Sequence, residues 1–194
     1  MNAEPLSQAL FLLITMSVAG GLHVLWLRTP LARRLAWPVD GGRTFRGRRL
    51  FGDNKRVCGF LVLPPSAAAA FLVLGSLRER LPEPVVTGWW PLGPLEYAGL
   101  GLACGLAFMA AELPNSFVKR QLGVPPGRAP ARRWLRPVAF AIDRLDSVVG
   151  VLLILALLVP VHAATWFWVL LFGPGLHGGF SLLMHRLGLK ARAA

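Results

Sequence analysis

The sequence predicts an all-α integral membrane protein with about five transmembrane helices, forming one membrane domain over residues 1–194. Hydrophobic residues make up 55% of the 194 residues and charged residues only 15%, a composition too apolar for an ordinary soluble domain. The charges also fall between apolar runs of spanning length, for which about 20 residues are needed. The predicted spans are residues 6–27, 58–77, 95–118, 147–161 and 164–184.

The apolar runs differ in how clearly they indicate a span. No Lys or Arg precedes the first run, and it is long enough to remain in the membrane, so it differs from a typical signal peptide. In the second run, Pro64-Pro65 predicts a kink or a delayed helix. Glu96 and Glu112 interrupt the third run. The fourth is short, and Pro160 is predicted to mark its end.

The distribution of Lys and Arg predicts the orientation. The five segments that follow the successive spans hold nine, two, seven, none and three of these residues, so alternate segments carry nineteen against two. This is the positive-inside pattern. It predicts an amino terminus outside, a carboxyl terminus in the cytoplasm, and two large cytoplasmic loops, residues 28–57 and 119–146. The predicted location is the cytoplasmic (inner) membrane, with the active site on its cytoplasmic face.

The net charge of +12 could indicate nucleic acid as a partner. The charges lie in loops between spans, however, where membrane orientation and anionic headgroups account for them, so no nucleic-acid partner is predicted. Cys58 and Cys104 lie in apolar segments and are interpreted as packing residues rather than a disulfide or metal framework. Trp89-Trp90, in a Pro- and Gly-rich connection, is interpreted as an aromatic anchor at the membrane surface.

The first polar segment, residues 39–55, contains four glycines, two carboxylates and five cations. Glycines let backbone amides approach an anion, and cations neutralise phosphate charge. The segment is not a P-loop, because no Gly directly precedes Lys55 and no Ser or Thr follows it. It is either a phosphate-binding loop or a solvated basic loop that fixes orientation; the glycines, Asn54 and the carboxylates favour the first.

The second polar segment lies at the end of the third span. Glu112, Asn115, Ser116 and Lys119 would share one face of a helix. A carboxylate at the membrane boundary is costly unless it has a partner or belongs to a site. Since Lys119 is too far along the helix to pair with Glu112, another cation or a metal is expected. The alternative is a polar helix end touching lipid headgroups.

A third segment opens the fourth span, where Asp143 and Asp146 are three residues apart and can face one point. Hard oxygen ligands of this kind suit Mg²⁺, which also binds substrate phosphates. Alternatively, the two carboxylates merely cap a helix and complement its dipole; their alignment favours the metal. His177, inside the last apolar run, is either a site residue or a packed neutral histidine.

Four stretches resemble, in the same order, those of one family. They are VDGGRTFRGRRLFGDNK (39–55), ELPNSFVKRQLGVPPG (112–127), IDRLDS (142–147) and HRLGLK (185–190). The family is that of the CDP-archaeol synthases, within the CTP-dependent lipid-phosphate cytidylyltransferases. The resemblance covers roughly residues 40–190. This chain departs from the family where Arg56-Val57-Cys58 replaces Thr-Trp-Arg, and where Glu112-Leu113-Pro114-Asn115 replaces a Gly-Asp pair with a shifted carboxylate.

The resemblance implies that the protein joins CTP and a lipid phosphate from the bilayer into a CDP-lipid, releasing pyrophosphate. A lipid phosphomonoester is already charged at neutral pH and needs no protein base. Positioning and charge neutralisation by Mg²⁺, Lys and Arg are what the protein must supply. The implied metal ligands are Asp143, Asp146 and Glu112. The implied catalytic residues are Lys55, Lys119, Asp143 and Asp146, and the implied nucleotide- or phosphate-binding residues are Asp40, Arg46, Asp53, Asn54, Lys55, Ser116, Lys119 and Arg120.

An alternative from another class is a non-catalytic membrane protein that descends from such an enzyme and binds anionic lipid headgroups. The altered stretch Arg56-Val57-Cys58 favours it, and it predicts no nucleotide turnover. A small transporter is a third reading, but such a protein would show repeat symmetry or interrupted helices in matching halves, and neither is visible in the sequence.

Overall fold

A computed structural model describes residues 4–189. Over these residues the chain forms five long helices, two short ones, a 3₁₀ turn and one small hairpin. In chain order the elements are α1 (Glu4–Leu27), α2 (Pro30–Arg34), β1 (Thr44–Phe45), β2 (Arg48–Arg49), α3 (Val57–Ser76), the 3₁₀ turn (Arg78–Arg80), α4 (Glu83–Val86), α5 (Pro94–Gln121), α6 (Leu135–Leu158) and α7 (Ala163–Arg186).

The five long helices form a closed ring. Helix α1 packs on α3, α3 on α5, α5 on α6, α6 on α7, and α7 on α1 again. Glycines permit the closest approaches: a Cβ on Gly105 of α5 would lie 2.6 Å from the Pro64 Cα of α3, and one on Gly150 of α6 would lie 3.0 Å from the Ala107 carbonyl oxygen of α5. Small residues at such positions let helix backbones approach closely, which is how helices pack in membranes.

Four helices of the described part are long and apolar enough to cross a membrane. These are Glu4–Leu27, Val57–Arg80, Pro94–Gln121 and Ala163–Arg186. Helix α6 is equally long, but its first half carries Asp143, Arg144 and Asp146. Four candidate spans are therefore found, and the fifth remains a prediction.

Helix boundaries differ from the sequence expectation chiefly in α6. It begins at Leu135, whereas the predicted span began at residue 147, so much of the predicted loop 119–146 is helix. Apolar length alone could not show this, because Arg136, Asp143, Arg144 and Asp146 interrupt the extra turns. Asp143 and Asp146 face α5 through hydrogen bonds. Pro64 and Pro65 lie inside α3, which begins at Val57, so they do not delay it.

Trp89 and Trp90 are buried rather than exposed at the membrane surface, so their interpretation as an interfacial anchor was wrong. Their rings pack against Phe11 of α1, with centroid separations of 4.8 Å and 5.9 Å. The indole nitrogens donate to the carbonyl oxygens of Ser7 and Pro160. Helix α1 covers these side chains because it closes the ring of five helices. A local sequence pattern does not show which helix will close the ring.

The first polar segment folds as a hairpin. Strands β1 and β2 are antiparallel, and the turn residues Arg46 and Gly47 both have positive φ, as in a type I′ hairpin turn. A bridge between Pro38 and Arg56 closes the base of the segment. Lys55 is thereby held directly before the first turn of α3, at the end of the bundle where α5 finishes and α6 begins.

Candidate active site

A chain of polar side chains crosses one end of the helix ring. We call it the site network and define it by its members: Lys55, Glu112, Asn115, Lys119, Asp143, Asp146, Ser147 and His177. They come from the hairpin segment, α5, α6 and α7. The three polar segments that the sequence analysis describes therefore meet in the structure.

Asn115 of α5 joins the two aspartates of α6. Its amide nitrogen lies 2.6 Å from Asp143 Oδ1 and 2.9 Å from Asp146 Oδ2. Lys119, one turn further along α5, forms an ion pair with the same Asp143 oxygen. Both carboxylates thus face one point, in agreement with their three-residue spacing, and each is oriented by a side chain of α5.

Glu112, which is half-buried, is the centre of the network. It forms an ion pair with Lys55, which is the further cation that the sequence led us to expect. Its other oxygen accepts a hydrogen bond of 3.1 Å from Ser147 Oγ and lies 3.9 Å from His177 Nε2. Ser147 also lies 3.3 Å from Asp146 Oδ1, so the Lys55–Glu112 pair and the aspartate pair are connected.

Asp40 stabilises the hairpin segment from within and is not placed in the network. Its side chain is fully buried and accepts hydrogen bonds from Arg49 and from the backbone amides of Gly42, Phe51 and Gly52. Burial alone would raise the pKa of Asp40, but these donors together hold the pKa well below its usual value. A nucleotide-binding role for Asp40 remains a prediction.

Three other predicted nucleotide ligands are exposed on the hairpin segment. Arg46 lies at the turn, beside a recess that Phe45, Arg48 and Gln121 also line. Asp53 is 75% exposed and pairs with Arg49, and Asn54 is exposed next to it. Their roles remain predictions, but the side chains are accessible to a ligand approaching from this end of the bundle.

Two predicted phosphate ligands of α5 are buried instead. Ser116 is 5% exposed, and its hydroxyl is not among the groups joined in the network. Arg120 is 7% exposed and donates to the carbonyl oxygen of Val124. Its Nε packs beneath Gly52, where a Cβ would lie 3.4 Å away. In this arrangement Arg120 supports the hairpin segment; phosphate binding by either residue remains a prediction.

The carboxylates of the network suit Mg²⁺ better than a cation whose ligands must all come from the protein. In residues 4–189 no group of three or more His, Cys, Asp or Glu side chains is arranged to hold a metal. Asp143 and Asp146 nevertheless supply two converging carboxylates, and Mg²⁺ is commonly bound by one or two carboxylates with substrate phosphates and water. Glu112 is already engaged by Lys55 and Ser147, so its role as a third ligand remains a prediction.

Sequence reasoning assigned no role to Ser147 or His23. Ser147 is fully buried. Its position at the end of the IDRLDS stretch, directly after Asp146, is the feature of the sequence that could have indicated a role in the site. His23 of α1 lies against Gly59, and its Nε2 is buried without a partner in the described chain. His177, the ionisable group in the last apolar run, lies near Glu112, which is consistent with a site residue. Lys190, in the last motif, lies outside the described residues.

Comparison with known proteins identifies the family. The family profile described as CarS-like, CDP-archaeol synthase, matches residues 35–193. CDP-archaeol synthase of Methanosphaerula palustris is 32% identical over 160 residues, covering 79% of this chain and 87% of the relative. That of Halobacterium salinarum is 33% identical over 162 residues, covering 79% and 81%. The enzyme of Methanopyrus kandleri is 38% identical over 130 residues, covering 66% and 62%.

A solved structure supports the same assignment. It belongs to an intramembrane enzyme for archaeal membrane lipid biosynthesis, and it superposes with a TM-score of 0.58 at 25% sequence identity. The match covers 87% of this chain and 92% of the other. With the apolar helices described above, this indicates a multi-pass membrane protein. The profile match and the relatives together establish that the chain belongs to the CDP-archaeol synthase family.

Proposed function

We propose that the protein transfers the cytidylyl group of CTP to a lipid phosphate, producing a CDP-activated membrane lipid and pyrophosphate for phospholipid biosynthesis. The observation that carries this proposal is the site network, which places two lysines and three carboxylates of three different chain segments at one end of the helix ring. A site that handles phosphates on both substrates needs cations and carboxylates for a metal, and the two lysines and the Asp143–Asp146 pair of the network support this assignment.

The reaction needs little from the protein beyond positioning. An oxygen of the lipid phosphate attacks the α-phosphorus of CTP, the bond from that phosphorus to the α–β bridging oxygen breaks, and pyrophosphate leaves with the bonding electrons. The phosphomonoester is largely dianionic at neutral pH, so no side chain has to remove a proton. This is consistent with a network rich in charge but without a nucleophile and its base.

Lys55 and Lys119 are the residues we assign to the phosphates. Each is held by a carboxylate, Glu112 and Asp143 respectively, so each ammonium group is fixed in place before substrates arrive. Fixed charges that need not reorganise stabilise a transition state more than mobile ones. We assign Arg46 and Asn54 to contact with the nucleotide, and their exposure on the hairpin segment supports this assignment.

Asp143 and Asp146 would hold Mg²⁺, which when bound would neutralise triphosphate charge and favour departure of pyrophosphate. Asn115 contacts both carboxylates and Ser147 contacts Asp146. These contacts fix the side-chain orientation, a contribution that commonly changes metal affinity or activity 10- to 100-fold, as an order of magnitude.

We further propose five spans, with α6 as the fourth, and the network on the cytoplasmic face. The distribution of Lys and Arg supports this orientation. The nucleotide would then reach the network from the cytoplasm, and the lipid phosphate would reach it from the bilayer without leaving the headgroup level.

The test is pyrophosphate release by the purified protein in detergent or lipid, with CTP, Mg²⁺ and a panel of ether- and ester-linked lipid phosphates. We expect turnover that falls at least about 100-fold in Asp143→Asn or Asp146→Asn. Glu83→Gln, which neutralises an exposed carboxylate at the other end of the bundle, is the matched control and should behave as wild type.

The opposite result would also be informative. Absence of turnover on every lipid phosphate, together with absence of Mg²⁺-dependent CTP binding, would overturn the proposal. It would favour the alternative in which a relative of these enzymes only binds anionic lipid headgroups.

A further inference from the structure

The first turns of α6 have little protein packed against them. Six of the eight residues from 135 to 142 are exposed, among them the apolar Val138 and Ile142. Helices in proteins are stabilised mostly by packing of an apolar face rather than by helix propensity alone. These turns lead directly into Asp143 and Asp146, so a partner that covers them would also hold the aspartate pair.

We propose that anionic headgroups of the surrounding membrane bind the chain just before α6, hold the start of that helix and thereby increase turnover. We call the contact region the Arg–Trp surface and define it as Arg128, Arg132, Arg133 and Trp134. The inference rests on the proposed function and adds a form of regulation to the same site. The partner is the bulk anionic lipid of the membrane, not the substrate.

The positive charge of this segment is not neutralised by the protein. No Asp or Glu lies between Glu112 and Asp143 in the sequence, although that stretch holds six Lys and Arg residues. Arg128, Arg132 and Arg133 are exposed and form no ion pair within the described chain. Arginines clustered beside a membrane helix attract anionic headgroups, and each contributes roughly fivefold to the local affinity.

An exposed apolar stripe continues from the Arg–Trp surface along α6. Trp134, which is 66% exposed, is followed at intervals of four residues by the exposed Val138 and Ile142, so the three share one side of the helix. Leu153 is exposed on the same side further along. The aspartate pair instead faces α5. Basic residues and a tryptophan at the end of such a stripe are typical of a helix that rests in the headgroup layer.

The length of α6 is consistent with this placement. Its uncharged part, residues 147–158, is about 18 Å long, whereas the hydrocarbon layer of a membrane is about 30 Å thick. As the proposed fourth span, α6 therefore needs its first half to reach the membrane surface. The whole helix has 24 residues and is about 36 Å long, which brings the Arg–Trp surface to the headgroups.

The Arg–Trp surface is joined to the first turn of α6. The Arg136 Nε donates to the Pro130 carbonyl oxygen at 3.1 Å. The backbone amides of Leu135 and Arg136 donate to the carbonyl oxygens of Arg132 and Arg133, respectively. Headgroups that hold the arginines would therefore hold the first turn, and the aspartate pair begins about two turns further along the same helix.

The experiment compares turnover in nanodiscs of phosphatidylcholine alone and with an increasing fraction of phosphatidylglycerol, at a fixed fraction of the lipid phosphate substrate. We expect the wild-type kcat to rise about fivefold with phosphatidylglycerol, and Arg132→Gln/Arg133→Gln to lose most of this rise. Arg132→Lys/Arg133→Lys should retain most of it, because attraction to headgroups depends on charge. High salt should weaken the rise in the wild type.

A second pair of adjacent arginines provides the matched control. Arg33 and Arg34 of α2 are also exposed, and Arg33→Gln/Arg34→Gln removes the same charge from a helix that does not lead into the network. This variant should keep the response to phosphatidylglycerol. Equal losses of the response in the two double variants would indicate a general effect of protein charge and would overturn the proposal.

Amide hydrogen exchange of residues 135–142 tests the contact without turnover. In the wild type, exchange of these amides should be about fivefold slower in discs with phosphatidylglycerol than in discs without it, and Arg132→Gln/Arg133→Gln should show little difference. Wild-type exchange that does not respond to phosphatidylglycerol would overturn the proposal. Failure of the proposed function is a separate outcome, because it would appear as absence of turnover in every disc.

The substrate is itself an anionic lipid, so the two sources of headgroup must be distinguished. Binding of the substrate by these arginines would appear as a higher KM for the lipid phosphate in Arg132→Gln/Arg133→Gln in phosphatidylcholine alone, without a response of the wild type to phosphatidylglycerol. That result would contradict the proposal. A wild-type kcat that is the same in both kinds of disc would contradict it as well.

Discussion

The two ends of the helix ring are built from different chemistry. The far end, by which we mean the end carrying Trp89, Trp90 and Tyr97, buries aromatic rings around Phe11. Three polar side chains tie these rings to the backbone: the Tyr97 hydroxyl donates to the Trp90 carbonyl oxygen at 2.6 Å, and both indole nitrogens donate to backbone oxygens. The end with the site network instead holds lysines and carboxylates.

The difference also appears in the buried groups that lack partners. Within the described chain the far end has one such atom, Arg78 Nε, whereas most lie toward the site end, including His23 Nε2, His177 Nδ1 and Arg120 Nε. Buried polar atoms normally find a partner, and exceptions often belong to functional sites. The comparison indicates that the far end stabilises the ring, while the site end keeps polar groups available for substrates. Variants at the two ends should therefore separate stability from turnover.

The largest effect is expected from Phe11→Ala at the far end. Phe11 is fully buried among Phe71, Trp89, Trp90 and Tyr97, and loss of such a ring costs about 3–5 kcal/mol. Thermal unfolding in detergent should show a large decrease in Tm, while turnover per folded molecule at low temperature stays near wild type. Loss of activity without loss of stability would contradict the proposal that the far end provides stability and the site end provides turnover.

At the site end, Lys55→Met should reduce turnover strongly and stability only slightly. It removes the ammonium group assigned to substrate phosphate and leaves Glu112 without its ion-pair partner. We expect a decrease in kcat/KM of about 100-fold or more, with a change in Tm smaller than that of Phe11→Ala. Pyrophosphate release measures the decrease in kcat/KM, and thermal unfolding of the same preparation measures the change in Tm. Near-normal turnover would exclude Lys55 as a catalytic residue.

Asp40→Asn should weaken the hairpin segment by about 2 kcal/mol, since a buried carboxylate loses charged hydrogen bonds. In the wild type, the pKa of Asp40 is lower in the folded protein than its usual value near 4. Its stabilising contribution is therefore complete above about pH 4 and is lost as the pH falls toward the folded pKa. Thermal unfolding between pH 3 and pH 6, each a rough limit, should depend less on pH in Asp40→Asn.

The smallest effect is expected from Tyr97→Phe. The ring stays in place and only the hydrogen bond to the Trp90 carbonyl oxygen is lost, which costs about 1 kcal/mol. Tm should decrease slightly, with turnover unchanged. A decrease in turnover comparable to that of Lys55→Met would mean that the far end takes part in the reaction.

The sequence predicted most of the long helices, because apolar length and charge placement are local properties. It missed the first turns of α6 from Leu135, where four charged residues interrupt the apolar sequence and where Asp143 and Asp146 contact α5. It also misread Trp89 and Trp90, whose burial depends on α1 closing the ring.

Within the site, the spacing of Asp143 and Asp146 indicated that they face one point. The sequence could not show that Glu112 would pair with Lys55 and be connected to Asp146 through Ser147. It also could not show that Asp40 would be enclosed by its own loop. Both facts depend on contacts between distant segments.

The most direct test of the central claim follows the α-phosphorus of CTP. Purified protein with a lipid phosphate and Mg²⁺ should transfer label from α-labelled CTP into the lipid fraction, while label from γ-labelled CTP should appear only in pyrophosphate. Asp146→Asn should abolish the transfer. Label from the γ-position in the lipid, or no label in the lipid from either position, would contradict cytidylyl transfer by this site.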